Sequence, residues 1–265
     1  MRYCTFSVAG GPDAPGRVSG DAVVRLEAPT LVDVLAAGFG VPDGPSFPLG
    51  DVTLRAPVPR PPTVRDFFAF EQHIATARAN RGSPVPQEWY EFPAFYFTNP
   101  DAVYGPDQDV PYPAGTAELD YELELAAVIG TGGRIAGFTV MNDWSARDIQ
   151  RQEARIGLGP AKAKDFATSF GPLLVTDDLG DALMTARVNG EERSRGHAAD
   201  IYYSWDQILA HAARNTRGLR PGDVIGSGTV GTGCILEHND GRWLSSGDVV
   251  ECEIEGIGVL RNRVA

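Results

Sequence analysis

The residues in this chain whose spacing most invites chemistry are carboxylates two apart. Glu118, Asp120, Glu122 and Glu124 alternate with Leu119, Tyr121, Leu123 and Leu125, and side chains two apart on a strand leave the same face. A solvated sheet face is the ordinary fate of such acids, and residue type favours it for Glu118 and Asp120. Glu122 and Glu124 differ because they run into the apolar segment 125–129, where the strand enters a core. Asp143 stands at the end of a second apolar run, Val140-Met141-Asn142-Asp143-Trp144. If the two strands are neighbours, three carboxylates converge at a partly buried place. Like charges repel there, so one acid takes a proton or a cation enters. Oxygen ligands without Cys or His suit a hard divalent ion, Mg²⁺ or Ca²⁺, with Mn²⁺ as a third candidate.

His73 is the one histidine of four with a companion. On a helix over 64–80, Asp66 lies seven residues earlier on the same face, and the two could serve a metal-bound water and its base. His197, His211 and His238 sit in polar surroundings without such a partner. Of the 23 basic residues 21 are Arg, and the only lysines are Lys162 and Lys164. In an extended segment these share a face, and a compact ammonium does chemistry that guanidinium does not copy. The run 226–233, GSGTVGTG, lacks the Lys-Ser/Thr of a phosphate-binding loop and no helix pattern follows it, which argues against a nucleotide cradle. Thr229 could donate to an oxyanion there, although an ordinary β-turn explains the glycines equally well. No G-x-S-x-G elbow supports a serine hydrolase.

The elements that must position these groups read as mostly β. A helix is expected over 28–39, with Thr30 as N-cap and Gly38 as stop. The prolines at 57, 59, 61 and 62 form a connector near residue 59. A helix is expected over 64–80, with Phe67, Phe70, Ile74 and Ala77 on one side. Strands are expected over 117–129 and 135–141, and near 172–176, 184–189, 223–227, 233–237 and 249–255. A short helix over 145–154 and a stronger one over 203–214 complete an α+β chain dominated by strands.

Bulk composition narrows the function classes. The 265 residues carry a net charge of −12, which argues against nucleic-acid binding because nothing neutralises phosphates. Cys4, Cys234 and Cys252 are too few and too scattered for a disulfide framework or zinc ribbon. No apolar run reaches the length of a membrane span, and the N-terminus lacks a signal-peptide stretch. A cytoplasmic enzyme or binding protein is the expectation.

Several strings in order make the chain resemble the fumarylacetoacetate hydrolase (fumarylacetoacetase) family over about residues 60–265. They are Arg65-Asp66-Phe67-Phe68 through Gln72-His73, Asp120-Tyr121-Glu122-Leu123-Glu124, the run 141–150 (MNDWSARDIQ), Leu158-Gly159-Pro160 with Lys164-Asp165-Phe166, Pro221-Gly222-Asp223, and Ile254-Glu255-Gly256-Ile257-Gly258. The resemblance implies a mixed β-sandwich roll over 59–265, preceded by a small N-terminal domain over 1–58, and a homodimer. It implies metal ligation by Asp66, Glu122, Glu124 and Asp143. It also implies a catalytic His73 oriented by Glu237, a catalytic Lys164, and substrate contacts from Arg81, Tyr96, Gln150 and Thr229. Phe68 stands where fumarylacetoacetase carries a substrate-binding tyrosine, so the substrate contacts differ. The implied reaction is hydrolysis of a C–C bond in a β-diketone or acylpyruvate-type oxo acid, with water activated by His73 and Glu237 and a metal-stabilised enolate as leaving group. Decarboxylation, tautomerisation, isomerisation or hydration of a 2-oxo acid through the same enolate is the alternative.

Overall fold

Short apolar runs separated by Gly, Pro and Asp turns produce strands throughout, and the computed structural model describes all of residues 1–265. The first 55 residues form β1 (Arg2–Val8), β2 (Ala14–Ser19), β3 (Ala22–Leu26), helix α1 (Leu31–Ala36), β4 (Asp43–Pro48) and β5 (Val52–Arg55). After the proline connector come β6 (Val64–Phe67), α2 (Glu71–Ala79), β7 (Phe95–Thr98), β8 (Val103–Tyr104), β9 (Asp109–Val110) and β10 (Leu119–Asp120). Next are β11 (Leu123–Ile129), β12 (Ile135–Asp143), β13 (Ser145–Ala146), α3 (Arg147–Ile156), β14 (Thr168–Val175), β15 (Leu183–Val188) and β16 (Glu191–His197). The chain closes with α4 (Trp205–Ala213), β17 (Val224–Gly226), α5 (Ile235–His238), β18 (Val249–Ile254) and β19 (Gly258–Val264).

One large mixed sheet has the order β4-β3-β2-β1-β14-β12-β11-β17-β6-β7, and a second has the order β16-β15-β18-β19-β9. The N-terminal strands belong to the large sheet: Arg2 and Tyr3 of β1 pair with Val175 and Leu174 of β14. All seven residues of β11 are buried, as a strand covered on both faces requires. Leu123 and Leu125 join Met184, Val250, Cys252 and Ile254 of the second sheet in the main core. Ala126 and Val128, on the opposite face, pack with Leu31, Val34 and Leu35 of α1. Ala127 and Ile129 pack with Ile208 and Ala212 of α4. The architecture is mostly β, as expected. No helix is long and apolar enough to cross a membrane, and the three cysteines are buried and free.

Two expected elements are different in kind. Residues 64–67 are a strand rather than the start of a helix, because Val64, Arg65 and Asp66 find a parallel partner in β17 and an antiparallel one in β7. Backbone pairing on both sides overrides the helical spacing of the phenylalanines. Asp66 and His73 therefore do not share a helix face; one lies on β6 and the other on α2. Residues 235–238 form a helical turn instead of a strand, for a reason given below. Helix α1 is shorter than expected, but Thr30 caps it in a reciprocal box with Asp33, and Gly38 ends it at φ +59°.

Candidate active site

The four carboxylates converge because β17 leaves a gap between its neighbours. Ala126 of β11 pairs with Gly226, and Gly226 pairs with Asp66 of β6. A Cβ on Gly226 would stand 2.5 Å from Asp66 Oδ1 and 2.9 Å from Glu124 Oε2. The missing side chain is thus the space in which the acids of the flanking strands meet. On the other side of β11, the backbone N–H of Asp143 donates to the carbonyl of Glu122 at 3.2 Å, which sets those two residues side by side. Asp66, Glu122, Glu124 and Asp143 are all buried, and each offers an oxygen within 4.8 Å of the others.

Cations and donors divide the cluster. Lys164 Nζ donates to both Glu122 and Asp143, the Tyr96 hydroxyl donates to Asp143, and Arg147 Nη2 donates to Glu122 Oε1 at 2.7 Å. Burial works to raise the Glu122 carboxyl, but Arg147 and Lys164 outweigh it and hold the group below the usual range. The other three move the opposite way. Burial, with the Asp66 charge, pushes Glu124 well up; burial also raises Asp66 and pushes Asp143 up to about 8. Lys164 stays charged, because Asp143 and Glu122 more than offset its burial.

This arrangement fits a divalent ion. Asp66 Oδ1 and Asp143 Oδ1 are buried without a hydrogen-bond partner, and an orphaned buried acceptor costs about 1–3 kcal/mol. All the donor atoms are oxygen, the set that hard cations prefer. Glu124 is already oriented: its Oε2 accepts from Gly228 N at 3.2 Å and its Oε1 from Thr229 Oγ1 at 3.4 Å. The glycine-rich loop therefore grips a carboxylate. Gly228 is required there, since it adopts φ +81° and a Cβ would meet the Phe67 carbonyl at 2.5 Å.

A second group of residues lies beside the cluster. His73 Nδ1 is 2.7 Å from Glu237 Oε1, both side chains buried. Glu237 Oε2 accepts from Thr232 N at 3.0 Å. Asn80, at the end of α2, donates to the carbonyls of Leu236 and Glu237 at 3.3 and 3.1 Å, so helix α2 and turn α5 are pinned together. The Phe68 ring and the imidazole meet nearly perpendicular, with centroids 5.2 Å apart.

One cavity of about 350 Å³ joins the two groups, lined by Asp66, His73, Arg81, Tyr96, Glu122, Glu124, Gln150, Lys164 and Thr229 among others. Gln150 accepts from Arg147 at 3.1 Å. The Arg81 guanidinium sits at the rim, where partial burial and then its neighbours Arg147, Arg78 and Arg151 hold it below its ordinary value. Asp143 lies behind Lys164 and Tyr96, and Glu237 behind His73. The two lysines part company: Lys164 is buried, whereas the Lys162 side chain is 80% exposed and pairs with Asp165.

Two residues of this site have other roles than their sequence positions suggest. Asp120, expected on a solvated face, is fully buried and accepts from Arg147 Nε at 2.8 Å, Ile235 N at 2.7 Å and Leu236 N at 3.1 Å. Arg147 had no assigned role, and nothing local distinguishes it from 20 other arginines; only its burial between Asp120 and Glu122 does. Glu118 alone behaves as a surface acid, paired with Arg151.

Comparison with known proteins finds relatives over most of the chain. A family model described as fumarylacetoacetate (FAA) hydrolase C-terminal matches residues 63–265. The chain is 33% identical over 234 residues to the mitochondrial oxaloacetate tautomerase FAHD2A of Homo sapiens, covering 83% of this chain and 72% of that protein. It is 30% identical to the oxaloacetate tautomerase YisK of Bacillus subtilis (strain 168), covering 82% and 75%. The crystal structure of a 5-carboxymethyl-2-hydroxymuconate delta-isomerase from Mycobacterium smegmatis superposes with a TM-score of 0.79 at 28% identity, over 100% of this chain and 99% of that one. A fumarylacetoacetate hydrolase from psychrophilic Exiguobacterium antarcticum gives 0.81 at 29%, with the same coverage.

Proposed function

The chain belongs to the fumarylacetoacetate (FAA) hydrolase C-terminal family, and we propose that it is a divalent-metal-dependent tautomerase or isomerase of a 2-oxo acid bearing a second carboxylate. The observation that carries this reading is that the His73–Glu237 pair borders the four-carboxylate cluster, with His73, Asp66, Glu122 and Glu124 lining one cavity. The named activities of the tautomerase and isomerase relatives support it over hydrolysis, the first expectation from the resemblance. Arg78 and Arg81 on the cavity wall favour an anionic tail on the substrate, since guanidinium binds carboxylate in a matching fork.

Asp66, Glu122, Glu124 and Asp143 would hold a divalent cation, which when bound would supply Lewis-acid polarisation of the 2-oxo group. The chain's own residues handle the proton. Glu237 engages Nδ1 of His73 and fixes the ring, leaving Nε2 to work as base and then acid. His73 takes a proton from the carbon beside the carbonyl; the C–H electron pair becomes the C=C bond, and the carbonyl π pair passes to oxygen. The ring returns the proton to that oxygen, so atoms balance and nothing is consumed. Lys164 keeps an ammonium beside the cluster as negative charge grows on oxygen.

The test is a product assay with Mg²⁺ present. Faster decay of the enol absorbance of oxaloacetate with no new acid formed supports tautomerisation. Two acids from an acylpyruvate indicate hydrolysis by the same His73–Glu237 pair, and CO₂ from oxaloacetate indicates decarboxylation. His73→Ala should keep Mg²⁺ affinity and lose turnover by about 10²–10⁴-fold, the usual contribution of general acid–base catalysis; unchanged turnover removes His73 from the mechanism.

A further inference from the structure

We propose that Asp120 is a positioning residue that sets the His73–Glu237 pair in register with the carboxylate cluster; this rests on the roles proposed for His73 and Glu237. Turn α5, Ile235–His238, is four residues long and its N-cap Cys234 supplies no side-chain cap. A single helical turn does not stand alone, because nucleation costs more than its one bond returns. Its first backbone N–H groups, which have no partner within the turn, are instead satisfied from elsewhere in the chain. Asp120 Oδ1 accepts from Ile235 N at 2.7 Å and Oδ2 from Leu236 N at 3.1 Å. This is why residues 235–238 are helical where a strand was expected. Glu237 stands one residue further along, so the direction of its carboxylate toward His73 follows from where Asp120 holds the turn.

Asp120 Oδ2, which accepts from Leu236 N, also links the turn to the cluster. Arg147 donates from Nε to Asp120 at 2.8 Å and from Nη2 to Glu122 at 2.7 Å. One fully buried carboxylate thus ties the turn bearing Glu237, through one guanidinium, to the acid Glu122. A substrate held at the cluster must present its carbon to His73 within hydrogen-bond reach, and small misplacements there cost large factors in rate. Asp120 touches neither the cavity nor a reacting atom; its effect passes through Glu237 and Arg147.

The experiment uses Asp120→Asn, which keeps size but replaces one acceptor by an amide donor, so that a donor faces either Ile235 N or both Leu236 N and Arg147 Nε. The first readout needs no substrate: the proton resonance of His73 Nδ1–H, assigned by its loss in His73→Gln among only four histidines, should shift or vanish. The second is kinetic: kcat should fall tenfold or more while KM and Mg²⁺ affinity stay within threefold, and the loss should shrink to under twofold in a Glu237→Gln background. An unchanged resonance, or a kcat loss that is fully additive with Glu237→Gln, overturns the proposal. If wild-type turns over no 2-oxo acid, the function proposed above fails while the resonance still decides the role of Asp120. Should Asp120→Asn not fold, Asp120→Glu keeps the charge for Arg147, moves the oxygens by one methylene, and gives the same readouts.

Discussion

Replacing Gly226 by Ala isolates the geometry on which the proposed metal site depends. The new Cβ would stand 2.5 Å from Asp66 Oδ1, 2.9 Å from Glu124 Oε2 and 2.9 Å from Met141 Sδ. Ordinary contact begins near 3.4 Å, so the two carboxylates must retreat by about 0.5–0.9 Å. Metal–ligand distances tolerate about 0.2 Å, so both ligands leave their bonding positions. We expect Mg²⁺ affinity to fall by at least the roughly 10–100-fold seen when supporting partners of a metal site are lost, about 1.4–2.7 kcal/mol. Overpacking also costs about 1–3 kcal/mol of stability, a few degrees of Tm in a chain of this size. The assay is titration of Mg²⁺ by calorimetry and by thermal shift. Gly16→Ala is the control: its Cβ would meet Val23 Cγ1 at 2.5 Å and Phe6 Cε1 at 2.7 Å, an equal clash in the apolar core of the N-terminal strands. It should lower Tm while leaving ion affinity unchanged. Wild-type affinity in a folded Gly226→Ala protein, or equal loss in both variants, would refute the reasoning.

Two further outcomes follow from the charges around the cluster. Lys164→Arg should lower kcat by a hundredfold or more, because a broad guanidinium cannot occupy a buried place that serves both Glu122 and Asp143; Lys162→Arg, at an exposed ion pair, should stay within twofold, and equal tolerance at both positions would return the lysines to composition alone. In ion-free protein the Asp143 carboxyl, pushed up from 3.8 to about 8 by burial, holds a proton that the unfolded chain releases. Its contribution to stability is therefore present at low pH and lost as pH rises from about 4 to 8, by up to about 1.4 kcal/mol per unit. Glu124 is shifted the same way. Chemical denaturation across pH 5–8 should show this slope and a smaller one in Asp143→Asn, where Glu124 still contributes, and saturating Mg²⁺ should flatten it.

Much of the site is legible in residue order because its parts are local. The alternation from 118 to 125 states extended chain, which the structure divides into β10 and β11 in separate sheets; the apolar run after it states burial, Asp143 ends the next apolar run, and the antiparallel pair β11–β12 brings Glu122, Glu124 and Asp143 together. Thr30 and Gly38 state the ends of α1. Local pattern misleads where partners are distant. The phenylalanines at 67 and 70 have helical spacing, yet residues 64–67 are a strand because β17, some 160 residues later, offers a ladder. Residues 235–238 look like a strand and are a helical turn because Asp120 satisfies its N–H groups. Asp120 has the residue type of a surface acid, and its burial is invisible until Arg147 and the turn are placed around it.

By itself the sequence determined a strand-rich chain with clustered acids, four histidines and two lysines; its resemblance to the family singled out His73 with Glu237, and Lys164 over Lys162. Residue type sets what a group can donate, accept or ligate, and periodicity sets which face it leaves. Only the tertiary structure decided which acids share charge. Lys164 and Arg147 hold Glu122 ionised while burial raises Asp66, Glu124 and Asp143, and the empty Cβ position of Gly226 lets the acids meet. The physical reason is that desolvation and Coulomb interaction depend on distance through space, and the distances here are set by strand pairings and side-chain bonds spanning roughly 20 to 160 residues of chain.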